Sequence, residues 1–315
     1  MTQPVAAPPL SPLQHKTLSL LRRGGDPVVF APEFVDAVRA DMEQAIAGFA
    51  ERLGDETVFM SKHRLTTVLG CEAQYLAEDG FAWSIQAAVG QIAHRAIQLM
   101  VNWRGDPLPG DLVDEATARV VDDDTSLGDW VAGLSEADLA DLRGLAVDKV
   151  VKFQECFPPL VPAFAPAVES SVRWPNEGPI VLAGKVDLTI GRPHGAESRK
   201  VIVDLKTGRV APKHREDLRF YALIETLRSG VPPRKLASFY LDAGEPVVED
   251  VVESTMLTAA RRTLDAVNAD VELRVEGRPP VKRPGHSCRW CHLASDCDEG
   301  RAYLTGGDAD DRSDD

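Results

Sequence analysis

Apolar positions recur every three to four residues along four early stretches of the chain. They lie near Pro12–Arg23, at Pro32–Leu53 ("PEFVDAVRADMEQAIAGFAERL"), from about Lys62 to Glu78, and from Ser84 to Trp103. That period is the signature of amphipathic helices. After Trp103 the pattern fades into an acidic stretch with "DDD" at 122–124, which reads as a loop. A solvated helix is expected near Ser135–Phe157, with Ser135 as its N-cap and Asp138 three residues on. From Pro166 the period changes to that of strands. "VESSVRW", "IVLAGKVDLTIG" and "KVIVDLK" read as three consecutive strands joined by "PNEGP" and "RPHGAES". A helix is expected over His214–Ser229, a fourth strand at "KLASFYLD" and a last helix over Ser254–Val271. The order β, β, β, α, β, α behind helices predicts an α/β fold with a mixed central sheet.

These patterns divide the chain into four parts. Residues 1–60 form an N-terminal extension, Pro- and Ala-rich and expected to be disordered at its start, then helical. Residues 61–165 form a helical layer with an acidic insertion. Residues 166–300 form the core with a cysteine cluster near its end, and 301–315 an acidic, disordered tail. No internal repeat is present, and no G-x-x-x-x-G-K-[ST] motif, so a nucleotide-driven motor of that type is excluded.

The composition of the 315 residues, 44% hydrophobic and 27% charged, is that of an ordinary soluble protein. No apolar run reaches the roughly 18–20 residues that cross a bilayer, so no membrane partner is expected. The start of the chain lacks a basic segment followed by an apolar one, so a cytoplasmic location is the expectation. The net charge of −14 argues against nucleic acid only until it is located. The stretch 105–149 holds twelve acids against three bases, and 306–315 five against one, which together carry nearly all of the excess. A cleft elsewhere is free to be positive.

Asp204 and Lys206, in "KVIVDLKTG", stand two apart on a predicted strand and so share one face, with Leu205 on the other. Alone, such a pair is an ordinary salt bridge. Asp187, closing "LAGKVD", falls on the neighbouring predicted strand. Two carboxylates side by side repel unless a cation lies between them, and hard oxygen donors suit Mg²⁺ or Mn²⁺. Lys206 beside them is placed to orient a water nucleophile. In "VGQIAHRAI", Gly90 precedes His94 by one helical turn and clears room for the imidazole and whatever it contacts. A lone histidine on such a helix is otherwise a plain core or surface residue.

Gly90-x3-His94, Gly184-x2-Asp187 and Asp204-x-Lys206-Thr207-Gly208 together resemble the RecB-type branch of the PD-(D/E)XK (restriction-endonuclease-like) nucleases. The resemblance covers roughly residues 60–300. It implies His94, Asp187, Asp204 and the Leu205 carbonyl as metal ligands, with Asp187, Asp204, Lys206 and Tyr221 as catalytic residues. It also implies an exonuclease acting on DNA, single-stranded or at ends, in repair, recombination or defence. A helicase or a repair or defence protein is the implied partner. In "HREDLRFYALI" Tyr221 is in place, but Asp217 stands where the family carries glutamine. Lys213, His214, Arg215 and Arg219 around it are candidates for phosphate contacts, or else a solvated helix face. Glu169, opening the first strand, stands where some members of the family use an acid, or else is a plain surface glutamate.

Cys288-x2-Cys291-x5-Cys297 supplies three thiolates in ten residues, one short of a tetrahedral set. Cys71, in "SKHRLTTVLGCEAQYLA", resembles the early cysteine of the family's iron–sulfur members, such as AddB-type recombination nucleases and the cluster-bearing nuclease of CRISPR adaptation. The resemblance implies a [4Fe-4S] cluster on Cys71, Cys288, Cys291 and Cys297; Zn²⁺ suits the same four thiolates. Glu72 departs from the family, which usually has proline there. Cys156 reads as a buried thiol, His286 and His292 as substitute ligands, and Trp290 as a packing residue. Two other readings stay open. One is a non-catalytic DNA-binding or scaffold subunit that keeps the fold and cluster; the other is a zinc-stapled regulatory protein.

Overall fold

The computed structural model describes residues 9–77, 82–211 and 213–306. The chain runs α1 (Pro12–Leu21), β1 (Val28–Val29), α2 (Pro32–Leu53), β2 (Val58–Met60), α3 (Lys62–Leu69), α4 (Glu72–Leu76) and α5 (Ile85–Asn102). It continues through α6 (Pro109–Asp122), α7 (Ser126–Ala132), α8 (Glu136–Cys156), β3 (Ala167–Trp174), β4 (Ile180–Ile190), β5 (Glu197–Ser198) and β6 (Val201–Lys206). It ends with α9 (Lys213–Ser229), β7 (Lys235–Tyr240), β8 (Glu245–Asp250), α10 (Glu253–Arg274) and α11 (Asp298–Gly306).

The predicted mixed sheet is present, flanked by helices on both faces. Its order is β2-β4-β6-β7-β8, with β3 paired to β4. β2 with β4 and β6 with β7 are parallel; the other pairs are antiparallel. One face packs against α2, α3, α9 and α10 through residues such as Met42, Ile180, Leu223 and Val267. The other packs against α5, α6 and α8 through Ile92, Leu112, Phe153 and Phe239.

Several sequence expectations are corrected. The acidic stretch after Trp103 is not a loop: α6 and α7 occupy it. Leu112, Val113, Ala116, Val120, Leu127 and Val131 are buried against the α5–α8 layer, and the acids lie on the outer faces. The helix that follows is likewise not merely solvated, since Leu142, Ala146, Val150 and Phe153 bury one stripe of it. The pattern over Lys62–Glu78 is two helices, broken where the Gly70 N–H bonds the Thr66 and Thr67 carbonyls at 3.0 and 3.1 Å. Finally, β8 inserts a strand between the fourth predicted strand and the last helix, and the short β2 adds an edge to the sheet. The expected disordered tail over 301–315 is corrected in its first part, where residues 301–306 complete α11 (Asp298–Gly306); the rest of that tail, and residues 1–8 at the start of the chain, lie outside the described residues.

The pairing of β4 explains where a site can form. Leu182 pairs with Trp174 across one edge and with Met60 across the other; Leu188 pairs likewise with Val168 and Val203. β2 and β6 therefore share one edge of β4 at opposite ends. Between them, residues 183–187 present that edge unpaired.

Candidate active site

Asp187 sits at the end of this gap, where β4 and β6 part. Its Oδ2 accepts the Leu205 N–H at 2.7 Å, so the carboxylate replaces the ladder bond that the strands no longer make. Glu169 lies opposite it on β3. The ladder pairs Val168 with Leu188 and Ser170 with Val186 but skips Glu169 and Asp187. Glu169 adopts φ 49°, a left-handed conformation costly for a residue with a Cβ. The consequence is a change of face. Val172 and Val186 point into one core and Val168 and Leu188 towards the other, although each pair is separated by an even number of residues. This slip turns Glu169 and Asp187 towards α5, where His94 waits.

His94, Glu169 and Asp187 bring ligand atoms within 4.8 Å of one another. His94 Nδ1 lies 3.7 Å from Asp187 Oδ1, and Lys185 Nζ lies 2.7 Å from Glu169 Oε2. Burial disfavours charge on His94, but the Asp187 carboxylate outweighs it and raises the imidazole pKa. Reciprocally, burial of Asp187 is outweighed by His94 and the Leu205 N–H, and its pKa is held down. The pocket thus attracts positive charge.

Asp204 is buried on the neighbouring strand. Lys206 Nζ meets its Oδ2 at 2.7 Å, the same-face pair expected from sequence. That oxygen is enclosed and makes no hydrogen bond of good geometry. A second lysine was not foreseen. Lys62, the first residue of α3, places Nζ 3.1 Å from Asp204 Oδ1 and 5.3 Å from the centroid of the Tyr221 ring. Burial opposes its charge, yet Asp204 and the nearby acids raise its pKa. One sequence signal could have found it. A lysine at the start of a Ser61-capped helix with no acid in its first turn opposes the helix dipole, a local inconsistency of the kind that marks sites.

Asp217 points inward, accepting from the Thr66 hydroxyl at 3.3 Å and lying 3.6 Å from Lys206 Nζ and 4.0 Å from Lys62 Nζ. The acid in place of the family's glutamine is therefore balanced by Lys206 and Lys62 together. The buried Tyr221 ring lies over Gly184, where any Cβ would collide with it. Burial pushes its phenol up to about 12, so it is a neutral hydroxyl at ordinary pH. Gly90 faces Thr207: a Cβ there would lie 3.1 Å from its Oγ1, so the glycine clears space for the threonine after Lys206.

The basic residues of α9 divide. Arg219 is committed to Glu249, at 2.7–3.1 Å, and to Glu216 at 2.9 Å, which corrects its expected availability for phosphate. Arg215 reaches Glu249 only at 3.9 Å and stays exposed, as does Lys213. His214 is buried with Nδ1 2.9 Å from the Tyr240 hydroxyl, and burial lowers its pKa, so it faces no solvent phosphate.

The four cysteines expected to act together line one cavity of about 120 Å³. Cys71 caps α4, Cys288 lies in the short 3₁₀ turn His286–Trp290, and Cys297 precedes α11. All are free thiols. Backbone N–H groups point at two sulfurs, Gly285 to Cys288 at 3.4 Å and Gly300 to Cys297 at 3.3 Å. Glu72 explains its own departure. Its carboxylate accepts from the Val281 N–H at 2.7 Å and from Arg278 and Arg283 at 2.9 and 3.3 Å, clamping the segment that leads to the C-terminal cysteines. Cys156 is buried as expected and packs against Gly244. Trp290 is not packed: it is 71% exposed, with His286 edge-on at 4.8 Å.

A sequence model of the PD-(D/E)XK nuclease superfamily matches residues 60–298, three quarters of the chain and every residue of this site. The chain belongs to that superfamily. Among solved structures it resembles a Eubacterium rectale protein whose name is a provisional exonuclease assignment. The two share 11% identity at a TM-score of 0.45, over 83% of this chain and 91% of the other. No curated protein matches the chain.

Proposed function

We propose that this member of the nuclease superfamily hydrolyses phosphodiester bonds of DNA with Mg²⁺ or Mn²⁺. The observation that carries the reading is the convergence of His94, Glu169 and Asp187 beside the Asp204–Lys206 pair. Carboxylates with one imidazole suit these cations, and Asp204 stands beside them with Lys206 Nζ at 2.7 Å from its Oδ2. His94, Glu169, Asp187 and Asp204 would hold the ion, with the Leu205 carbonyl as the further ligand implied by the family. When bound, the ion would polarise a phosphoryl oxygen and lower the pKa of a water. Lys206 Nζ, steered by Asp204 and Asp217, donates to the attacking water or the phosphate and offsets the charge of the transition state. Lys62 balances the carboxylates from the opposite side, and the Tyr221 hydroxyl stays protonated as a donor. An assay of labelled DNA with Mg²⁺, Mn²⁺ or EDTA tests this: cleavage with either cation and none in EDTA is expected, and full cleavage in EDTA would refute it.

The cysteine cavity belongs to the same proposal as the seat of a [4Fe-4S] cluster. Four thiols on one cavity, with backbone N–H groups aimed at two of them, fit a thiolate-bound cofactor. By joining Cys71 to Cys288–Cys297 the cluster would staple α4 to the end of the chain. The activity is expected on single strands or ends, in repair, recombination or defence. A helicase or a repair or defence protein would be the partner, in the cytoplasm.

A further inference from the structure

α3 turns two polar faces to different neighbours. Lys62 and, one turn on, Thr66 face the nuclease centre: Lys62 Nζ lies 3.1 Å from Asp204 Oδ1, and the Thr66 hydroxyl bonds Asp217 at 3.3 Å. Arg64 stands two residues after Lys62, about 200° around the helix. It points the other way, at Asp270 of α10.

Asp270 is fully buried, and its carboxylate gathers side chains from three helices. Arg64 Nη2 reaches both of its oxygens, at 2.7 and 2.9 Å, and Arg64 Nε reaches Oδ1 at 3.2 Å. The Tyr75 hydroxyl of α4 donates to the same Oδ1 and accepts from Arg64 Nε at 2.7 Å. Arg274, one turn further along α10, brings Nη1 to 3.6 Å from Oδ2. Burial and the neighbouring carboxylate push the Tyr75 phenol up to about 12, which keeps it a donor. Arg64, Tyr75 and Arg274 line a cavity of their own with His63 and Thr67, apart from the nuclease centre. What this group does for α3 follows from the helix itself. Eight residues are too few for a helix to hold alone. Leu65 and Val68 bury it in the core, but apolar contact has no direction and leaves its rotation open. A guanidinium bound to both oxygens of a carboxylate is directional.

We propose that Asp270 is a positioning residue of the nuclease centre: through Arg64 and Tyr75 it fixes the rotation of α3, and so seats Lys62 against Asp204 and Thr66 against Asp217. The proposal rests on the nuclease reading for the task of Lys62, while the seat itself rests on the geometry of α3, α4 and α10. A buried carboxylate remote from the metal group thereby sets the charge that the metal group meets.

The amine of Lys62 reports its own seat. Trace acetylation with acetic anhydride, read by mass spectrometry, gives its rate relative to that of Lys16, exposed on α1. Asp270→Asn should raise that ratio about tenfold, as the amine exchanges a half-buried ion pair for water. Tyr75→Phe, a milder cut in the same group, should raise it less, and it decides the matter if Asp270→Asn does not fold. Glu272→Gln is the control. That carboxylate of the same helix bonds Arg278 and Asn268 instead, and its loss should leave the ratio as in wild type. The upward melting shift from Mn²⁺ should be larger in Asp270→Asn than in wild type, because Lys62 leaves Asp204. Adding Lys62→Met should enlarge that shift no further, since both changes remove one interaction. A wild-type ratio in the folded variant, an equal rise in Glu272→Gln, or additive Mn²⁺ gains would each overturn the proposal. If Mn²⁺ shifts nothing in wild type, the metal reading falls, and the acetylation ratio still decides the role of Asp270.

Discussion

Lys62 Nζ lies 3.1 Å from Asp204 Oδ1 although the two residues stand 142 positions apart in the chain. The lysine is a counter-charge on the Asp204 oxygen other than the one that Lys206 meets. Its removal should therefore have two effects of opposite sign. Lys62→Met should melt at lower temperature without divalent ion, because Asp204 and Asp217 lose a counter-charge. It should gain a larger upward shift from Mn²⁺ than wild type does, because the acids attract the ion more strongly. Thermal melts with and without Mn²⁺ measure both; an equal Mn²⁺ shift in the two proteins would show that Lys62 does not neighbour the metal.

Glu72 makes stability depend on pH. Burial works against its charge, but Arg278, the Val281 N–H and Arg283 outweigh it and hold its pKa below the usual carboxylate range. A depressed folded-state pKa contributes stability that is present above the unfolded value of about 4.3 and lost as pH falls through the folded one. Glu72→Gln should cost about 1–3 kcal/mol at pH 7. The difference in melting temperature from wild type should shrink as pH drops below about 4.3. A difference that stays constant down to pH 3 would mean that the charge is not what holds the segment.

Gly184→Ala should be poorly tolerated. Its Cβ would overlap the Tyr221 ring, which is buried between β4 and Lys62. Overpacking of this kind costs about 1–3 kcal/mol and displaces the ring. Gly90→Ala meets only the Thr207 hydroxyl at 3.1 Å and should cost less. Urea unfolding of the two variants ranks them, and the reverse order would contradict the packing described.

What was legible in the sequence was local or short-range. The helix Pro32–Leu53 was readable residue for residue, because its apolar stripe is regular. Asp204 and Lys206 were placed on one face by the period of a strand alone. Charge hid α6 and α7: the acids dominate the composition of 105–132, while the small stripe Leu112, Val113, Ala116 and Val120 does the burying. The direction Glu169 faces was not legible, because a strand's alternation holds only while every residue stays extended, and one left-handed residue reverses it. The helix start could flag Lys62, but not what it meets. Its partner is set by tertiary packing, and no period spans 142 residues.

The cysteine centre predicts a visible property. Anaerobically purified protein should be brown and contain iron. Cys71→Ser should lose the colour as completely as Cys291→Ser, whereas Cys156→Ser, whose thiol packs against Gly244, should keep it. Cluster loss should lower the melting temperature more than the rate of cleavage, because its ligands are separate from those of the catalytic ion. Colourless protein with stoichiometric zinc would replace the cluster with a zinc staple and leave the nuclease site untouched.

The central claim is that Asp204 and Lys206 are chemistry and not a buried salt bridge. The most direct measurement is the single-turnover rate of DNA cleavage in Mg²⁺ for wild type, Asp204→Asn and Lys206→Met, with circular dichroism confirming that each is folded. A metal ligand and a charge-stabilising donor are each worth about 10²–10³-fold or more in rate. Both folded variants should therefore fall at least that far. Folded variants that cleave within a few-fold of wild type would contradict the account.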